Sequence, residues 1–290
     1  GERLQTTLDV DLQRFAGESL RRQLQGIARQ NAEDGAVLVV DNASGEVLAW
    51  VGSSGSLSAA PEVDGVTALR QAGSTLKPFL FALAFEQRRL TAASLLDDSP
   101  LAITTGNGLY VPQNYAPEYR GWVSARMALG GSLNVPAVEV LERLDPVRFV
   151  ALLRRGGLKL EFAKGGEPNL AVILGGASTR LEQLVGAYTA FARGGLAGKP
   201  RYTPDAPIEE QRMLSAGAAF IIRDLLESGG PLGRAVESGA GIRRGIAWKT
   251  GTSFGFRDAW SVGVSDRYTI GVWVGRPDGT PNPGFFGANI

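Results

Sequence analysis

The chain has 290 residues, 44% hydrophobic and 20% charged, with a formal net charge of +1 and neither histidine nor cysteine. Such a composition describes a globular protein of one large domain or two small ones, with no charge excess to draw nucleic acid. It excludes disulfides and thiolate metal sites, and it leaves a transition metal only carboxylates, so neither metal nor cofactor is expected.

Asp9 to about Ala28 carries Leu12, Phe15, Ala16, Leu20, Leu24 and Ile27 near a 3.6-residue period, an amphipathic helix with Asp9 as N-cap. Ala36–Val40 and Glu46–Val51 read as strands of a hairpin turned by Asp41-Asn42-Ala43-Ser44-Gly45. A flexible Gly/Ser loop opens at Gly52 and runs to about Leu69. Helices are expected at Ser74–Arg88, Ser124–Leu129, Pro136–Leu144, Pro146–Arg155, Thr179–Ala192 and Ser215–Glu227. Pro136 and Pro146 suit first turns, and Thr179-x-x-Glu182 reads as a capping box. The end is β-rich: Ile246–Thr252, Ala259–Val264 and Tyr268–Val274.

Strands, then helices, then strands give an α/β (α+β) fold. We expect one antiparallel sheet of about five strands, assembled from both ends of the chain and flanked by helices, with an all-helical subdomain between. The division reads as an α/β subdomain of residues 1–66 plus 216–290 and a helical subdomain of residues 67–215. The longest apolar run, Phe79 to Phe85, falls far short of the ~20 residues that span a bilayer. With Gly1 in place of methionine and no signal peptide, the chain reads as an excised domain.

Chemistry concentrates in three short motifs. A serine nucleophile commonly takes its base from histidine, and that route is closed here. Arginine is no substitute, because its pKa exceeds ~12. The chain holds only five lysines, and two of them fall in these motifs. Lys77 stands three residues after Ser74; on a helix that spacing brings Cβ atoms to roughly 5–6 Å. Pro78 cannot donate to the Ser74 carbonyl, so Ser74 is expected at a helix start. Ser132-Leu133-Asn134 follows a Gly130-Gly131 break. Lys249-Thr250-Gly251-Thr252 opens the C-terminal meander. Each motif alone has a structural alternative: Ser74 as a helix cap, Ser132 and Asn134 as caps of the Pro136 helix, Lys249-Thr250-Gly251 as a strand end with a glycine bulge.

Ser-x-x-Lys, Ser-x-Asn and Lys-Thr-Gly in this order resemble the penicillin-recognising serine transferases and hydrolases. Arg70-Gln71-Ala72-Gly73-Ser74-Thr75-Leu76-Lys77-Pro78-Phe79 is similar to the transpeptidase domain of class A penicillin-binding proteins. Lys249-Thr250-Gly251-Thr252-Ser253-Phe254-Gly255-Phe256-Arg257-Asp258-Ala259-Trp260 is similar to the 1C type within that class. Ala72 departs from a proline common in the family, and the chain stops at Ile290, ahead of the family's closing helix.

The resemblance implies a peptidoglycan D,D-transpeptidase. Ser74 would be acylated by a D-Ala-D-Ala stem peptide and Lys77 would take its proton. Ser132 would relay a proton to the leaving amine, and Asn134 would hold Lys77 and the donor peptide. Lys249 would lower the Lys77 pKa and, with Thr250, Gly251 and Thr252, bind the substrate carboxylate. Backbone N–H groups of Ser74 and Thr252 would form the oxyanion hole. The implied partners are donor and acceptor stem peptides and covalently inhibiting β-lactams. The implied setting is the periplasmic face of the bacterial cytoplasmic membrane, in a parent protein carrying an upstream glycosyltransferase domain. A D,D-carboxypeptidase or β-lactamase, and a β-lactam sensor without turnover, remain alternatives.

Trp260, Trp273 and Trp50 read as core. Tyr119 and Trp122 read equally as cleft rim, and Arg257-Asp258 as cleft-shaping or as a surface ion pair.

Overall fold

The computed structural model describes residues 3–105, 108–116, 118–163, 166–228 and 245–282. Residues 229–244 and 283–290 of the expected α/β subdomain lie outside that set, as does the question of a closing helix.

Helix α1 spans Val10–Gly26, and the Asp9 carboxylate accepts from the Leu12 amide at 2.9 Å. Its buried face is Ala16, Gly17, Leu20 and Leu24. Phe15, expected on that face, is exposed. It sits roughly 100° round the helix from Ala16, outside the stripe that Leu20 and Leu24 continue.

Strands β1 (Asp34–Asp41) and β2 (Val47–Val51) form the expected hairpin. The aliphatic run of β1 is buried on both faces. Ala36, Leu38 and Val40 enter the main core, while Val37 and Val39 meet α1. Alternation along a strand produces that division. A bulge shifts the pairing from Val39↔Ala49 to Val40↔Val47. Val47 thereby joins the main core while Ala49 faces α1. The following Gly/Ser stretch is tied down rather than loose: the buried Asp34 carboxylate accepts from the Ser54 amide and the Ser58 hydroxyl, both at 2.6 Å.

The chain continues through β3 (Arg70–Gln71), α2 (Lys77–Glu86), β4 (Leu95–Asp98), β5 (Ile103–Thr105), β6 (Gly108–Tyr110) and β7 (Gly121–Ser124). Then come α3 (Ala125–Gly130), α4 (Asn134–Leu144), α5 (Pro146–Arg155), β8 (Ser178–Thr179) and α6 (Leu181–Ala192). It closes with β9 (Leu196–Gly198), β10 (Glu210–Arg212), α7 (Ala216–Ser228), β11 (Ala247–Thr252), β12 (Asp258–Val264) and β13 (Tyr268–Gly275).

The main sheet has five antiparallel strands in the order β11-β12-β13-β1-β2. The two ends of the chain meet between β1 and β13, in register from Asp34↔Gly275 to Asp41↔Tyr268. One face packs on α1; the other packs on α6, with α7 beside β11. Helix α2 is apolar on every side, and each residue from Lys77 to Phe85 is buried.

The segment between the sheet halves is mainly helical, but it is not all-helical. It carries the two-stranded ribbons β3–β8, β4–β7, β5–β6 and β9–β10. Strands of two to four residues are too short to leave an alternating pattern in sequence. The expected capping box at Thr179 is absent as well. Helix α6 is preceded by Arg180 as N-cap, and the Thr179 hydroxyl donates to the Lys159 carbonyl instead. Thr179 is already committed to the ribbon with Arg70. Among the described residues no helix is long and apolar enough to cross a membrane.

Candidate active site

Pro78 lies in the first turn of α2 and has no N–H for the Ser74 carbonyl. The chain answers with a 3₁₀ turn, Gly73–Leu76, in which the Lys77 amide donates to Ser74 O. The α-helix therefore begins at Lys77 and not, as expected, at Ser74. Three hydrogen bonds pin this turn. Trp260 Nε1 donates to Gln71 O at 2.8 Å, Tyr188 Oη donates to Thr75 O at 2.6 Å, and Thr75 Oγ1 donates to Ala72 O at 2.7 Å. The Ser74 hydroxyl caps neither the turn nor α2, which disposes of the capping alternative.

Two glycines let the turn and β11 touch backbone to backbone. A β-carbon on Gly73 would lie 2.5 Å from the Thr252 carbonyl oxygen and 2.9 Å from its nitrogen. One on Gly251 would lie 2.8 Å from Ala72 O. Gly73 also holds φ at +55°, where a β-carbon is disfavoured. Gly73→Ala is expected to cost about 2–5 kcal/mol, summing left-handed strain and overpacking. Urea unfolding checks this, and parent stability with parent acylation would show that the contact is unimportant.

Ser132 lies between the two motif lysines. Lys77 Nζ donates to Ser132 O at 2.7 Å and Asn134 Oδ1 at 2.6 Å. Lys249 Nζ donates to Ser132 Oγ and to Thr250 O, both at 2.8 Å. Neither Ser132 nor Asn134 caps α4, whose N-cap is Leu133 with no side-chain bond. Ser132 sits at φ +54°, and the Leu133 amide reaches back to Ala128 O at 2.9 Å. That is the left-handed helix-ending position usually given to glycine, occupied here by a residue with a hydroxyl.

Both amines are pushed toward neutrality. Burial, then the positive charge of Lys249, holds Lys77 well below the ordinary lysine range. Burial alone lowers Lys249 to about 7. Among the described residues neither amine has a carboxylate in ion-pair range, so no opposite charge restores the charged form. The direct Ser74–Lys77 hydrogen bond suggested by the i, i+3 spacing is not formed among the described residues. Lys77 turns its hydrogens to Ser132 and Asn134.

Thr250 and Thr252 are half-buried and alternate along β11 with buried Lys249 and Gly251. Strand β11 is one edge of the sheet, as expected. Trp260 and Trp273 are core, and Trp50 is half-buried, edge-on to Tyr202 at 5.1 Å. Trp122 and Tyr119 are exposed. No Arg257–Asp258 pair forms among the described residues. Arg257 is exposed, while Asp258 is buried and accepts from Trp273 Nε1 at 2.9 Å. Sequence reasoning missed Gly73 and Tyr188. It also missed Tyr115, which meets Phe256 edge-on at 6.0 Å and joins the loop before β7 to the turn after β11. Finally it missed Asp98 and Asn114, whose contacts lead to Asn134.

A five-stranded sheet with a serine turn, two buried lysines and a Ser-x-Asn corner is the architecture of penicillin-binding transpeptidase domains. Residues 35–277 match the penicillin binding protein transpeptidase domain, and the chain belongs to that family. Within it, the chain is 45% identical over 289 residues to penicillin-binding protein 1C of Escherichia coli K12, a class A protein, covering 99% of this chain and 36% of that protein. It is 29% identical to penicillin-binding protein 1B of Vibrio cholerae serotype O1, covering 97% of this chain and 38% of that one. The chain thus spans under two fifths of the length of these relatives. Among solved structures, PonA1 of Mycobacterium tuberculosis in complex with penicillin V matches with a TM-score of 0.80 at 25% identity, covering 99% of this chain and 81% of that one. Penicillin-binding protein 1A of Haemophilus influenzae matches in fold with a TM-score of 0.77 at 24% identity, covering 89% and 46%.

Proposed function

We propose that this domain is a serine D,D-transpeptidase that cross-links peptidoglycan stem peptides through an acyl-enzyme on Ser74. The observation that carries the reading is the fully buried Lys77 amine, held by two acceptors and facing no carboxylate among the described residues. A neutral amine has two N–H groups. Ser132 O and Asn134 Oδ1 use both, and the remaining lone pair is free to take the Ser74 proton.

Ser74 Oγ attacks the carbonyl carbon of the D-Ala-D-Ala peptide bond, forming a C–O bond while its proton passes to Lys77 Nζ. The developing oxyanion is held by the N–H groups of Ser74 and Thr252, a reading that the close backbone approach of Gly73 to Thr252 supports. The C–N bond then breaks; Ser132 Oγ passes its proton to the departing D-Ala amine, and the proton taken up by Lys77 replaces it. Lys249, Thr250 and Thr252 bind the terminal carboxylate. An acceptor amine attacks the ester and forms a new C–N bond, its proton passing to Lys77 and on to Ser74 Oγ as the ester C–O bond breaks. β-Lactams present the same acyl carbon and acylate Ser74 without a departing amine.

The parent protein, on this reading, is anchored in the cytoplasmic membrane with this domain on the periplasmic side and a glycosyltransferase domain upstream. The cleft lies between the sheet part, residues 1–66 and 216–290, and the helical part, residues 67–215. A hydrolase needs a base for a deacylating water. Among the described residues no carboxylate hydrogen-bonds to or pairs with Ser74, Lys77 or Ser132, which favours transfer.

Incubation with a penicillin followed by peptide-level mass spectrometry tests the reading. The expected result is one acyl adduct on the Ser74 peptide, persisting for minutes. An adduct on another residue, or none, would sink the assignment. Loss within seconds would mark a β-lactamase.

A further inference from the structure

We infer that Asp98 and Asn114 are positioning residues that hold the first turn of α4, and with it Asn134, against Lys77, and so fix the amine that accepts the Ser74 proton. The inference rests on the role proposed for Lys77.

A primary amide has a donor end and an acceptor end, and the sequence Ser132-Leu133-Asn134 does not say which one meets the lysine. The neighbouring backbone does. Gln113 O can only accept, and it takes Asn134 Nδ2 at 2.8 Å. Asn134 Oδ1 is therefore the end turned to Lys77 Nζ, at 2.6 Å. The Asn134 backbone is fixed by the same loop. Its amide and that of Val135 donate to Asn114 Oδ1 at 2.9 and 3.2 Å. These are first-turn N–H groups of α4, which have no partner within their own helix.

Asn114 in turn must present its oxygen to α4, so its Nδ2 needs an acceptor on the far side. Asp98 supplies it: Asp98 Oδ1 takes Asn114 Nδ2 at 2.7 Å, and Oδ2 takes the Arg120 amide at 3.0 Å. Asp98 is fully buried at the end of β4. A carboxylate is the side chain that offers acceptors on both oxygens. Donor–acceptor polarity thus runs from Asp98 through Asn114 to the start of α4 and, through Asn134, to Lys77. Backbone N–H and C=O groups dictate each amide orientation along the way.

The test is a polarity swap, read by the limiting acylation rate and the non-covalent dissociation constant of a penicillin, with melting temperature alongside. Asp98→Asn leaves one acceptor for two donors. Asn114 must then either lose a bond or turn donors against donors. The limiting rate is expected to fall roughly tenfold or more, because an unmatched buried donor is left near the base. The dissociation constant should stay within about twofold, since Asp98 touches no substrate group. The double variant Asp98→Asn, Asn114→Asp restores every match. The amide introduced at position 98 would accept from the Arg120 N–H and donate to the carboxylate introduced at position 114. That carboxylate would accept from the backbone amides of Asn134 and Val135.

Recovery to within about threefold of the parent rate is expected for the double variant. A role confined to holding the fold would not produce that recovery of rate at equal melting temperature. Parent-rate acylation by folded Asp98→Asn, or a folded double variant no faster than the single one, would overturn the inference. Should the single variant not fold, Asn114→Ala on the half-buried loop serves in its place, and parent-rate acylation there is equally fatal. Ser74→Ala belongs in the same series. Labelling that survives it removes the role of Ser74 itself, whereas labelling lost there with Asp98→Asn at parent rate removes only this inference.

Discussion

Arginine in place of Lys77 is expected to slow acylation of Ser74 by about 10²–10⁴-fold, the usual contribution of a positioned base. The substitution keeps a cation on a long side chain but removes the lone pair, because guanidinium does not deprotonate in proteins. Lys77 stands at the start of a helix that is buried on all sides. Its head is already spoken for by Ser132 O and Asn134 Oδ1. Arginine would hold a permanent charge beside Lys249 and would have to fit a larger planar head. Lys77→Met is the companion variant, since it removes the base without adding volume or charge. Both are measured by stopped-flow acylation with a chromogenic penicillin, after circular dichroism shows them folded. A folded arginine variant acylating at the parent rate would exclude a lysine base.

Lys249→Met is expected to stabilise the domain while depriving it of activity. Burial holds the folded-state pKa of Lys249 at about 7, against an ordinary 10.5. Between those values the unfolded chain binds more protons than the folded one, so stability rises with pH across that window. Below about 7 the cost of keeping the buried amine is present in full; above the ordinary value it is gone. Each pKa unit corresponds to about 1.4 kcal/mol. Methionine removes that penalty, at the loss of two hydrogen bonds to Ser132 Oγ and Thr250 O. Urea unfolding should therefore show the variant more stable than the parent at neutral pH, with the gap closing toward pH ~10. A gap that widens with pH would mean Lys249 is buried charged. Acylation should fall because the carboxylate of the penicillin loses its cation.

Much of the scaffold was legible from local pattern. The continuous apolar run of β1, the turn chemistry at Asp41–Gly45 and the C-terminal meander needed no tertiary information. Grouping the three motifs rested on their order and their family resemblance, and the structure joins Lys77, Ser132 and Lys249. What escaped has common physical causes. Helix α1 has one wet face, so Phe15 could be assigned to the core only by guessing the phase of the stripe. Pro78 was recognised as a constraint, but the 3₁₀ turn that relieves it depends on packing from Trp260 and Tyr188. Gly73 looked like any motif glycine, because the backbone it must approach, Thr252, lies far along the chain. Asp98 and Asn114 carry no signature at all. Their work is to present acceptors to a loop and a helix start, and only coordinates show which backbone groups await them.

The pairing of β1 with β13 bears on how the domain is made. Residues 34–41 leave the ribosome long before residues 268–275, yet the centre of the sheet does not exist until the two meet. Contacts so distant in sequence are slow to form, because a long loop must be closed before they stabilise anything. Lys249 lies on the late side of that closure and Ser74 on the early side. A growing chain therefore carries its serine and Lys77 without the full burial and the second charge that push the amine toward neutrality. Nascent domains are expected to be chemically silent toward penicillins, becoming reactive only when the meander docks.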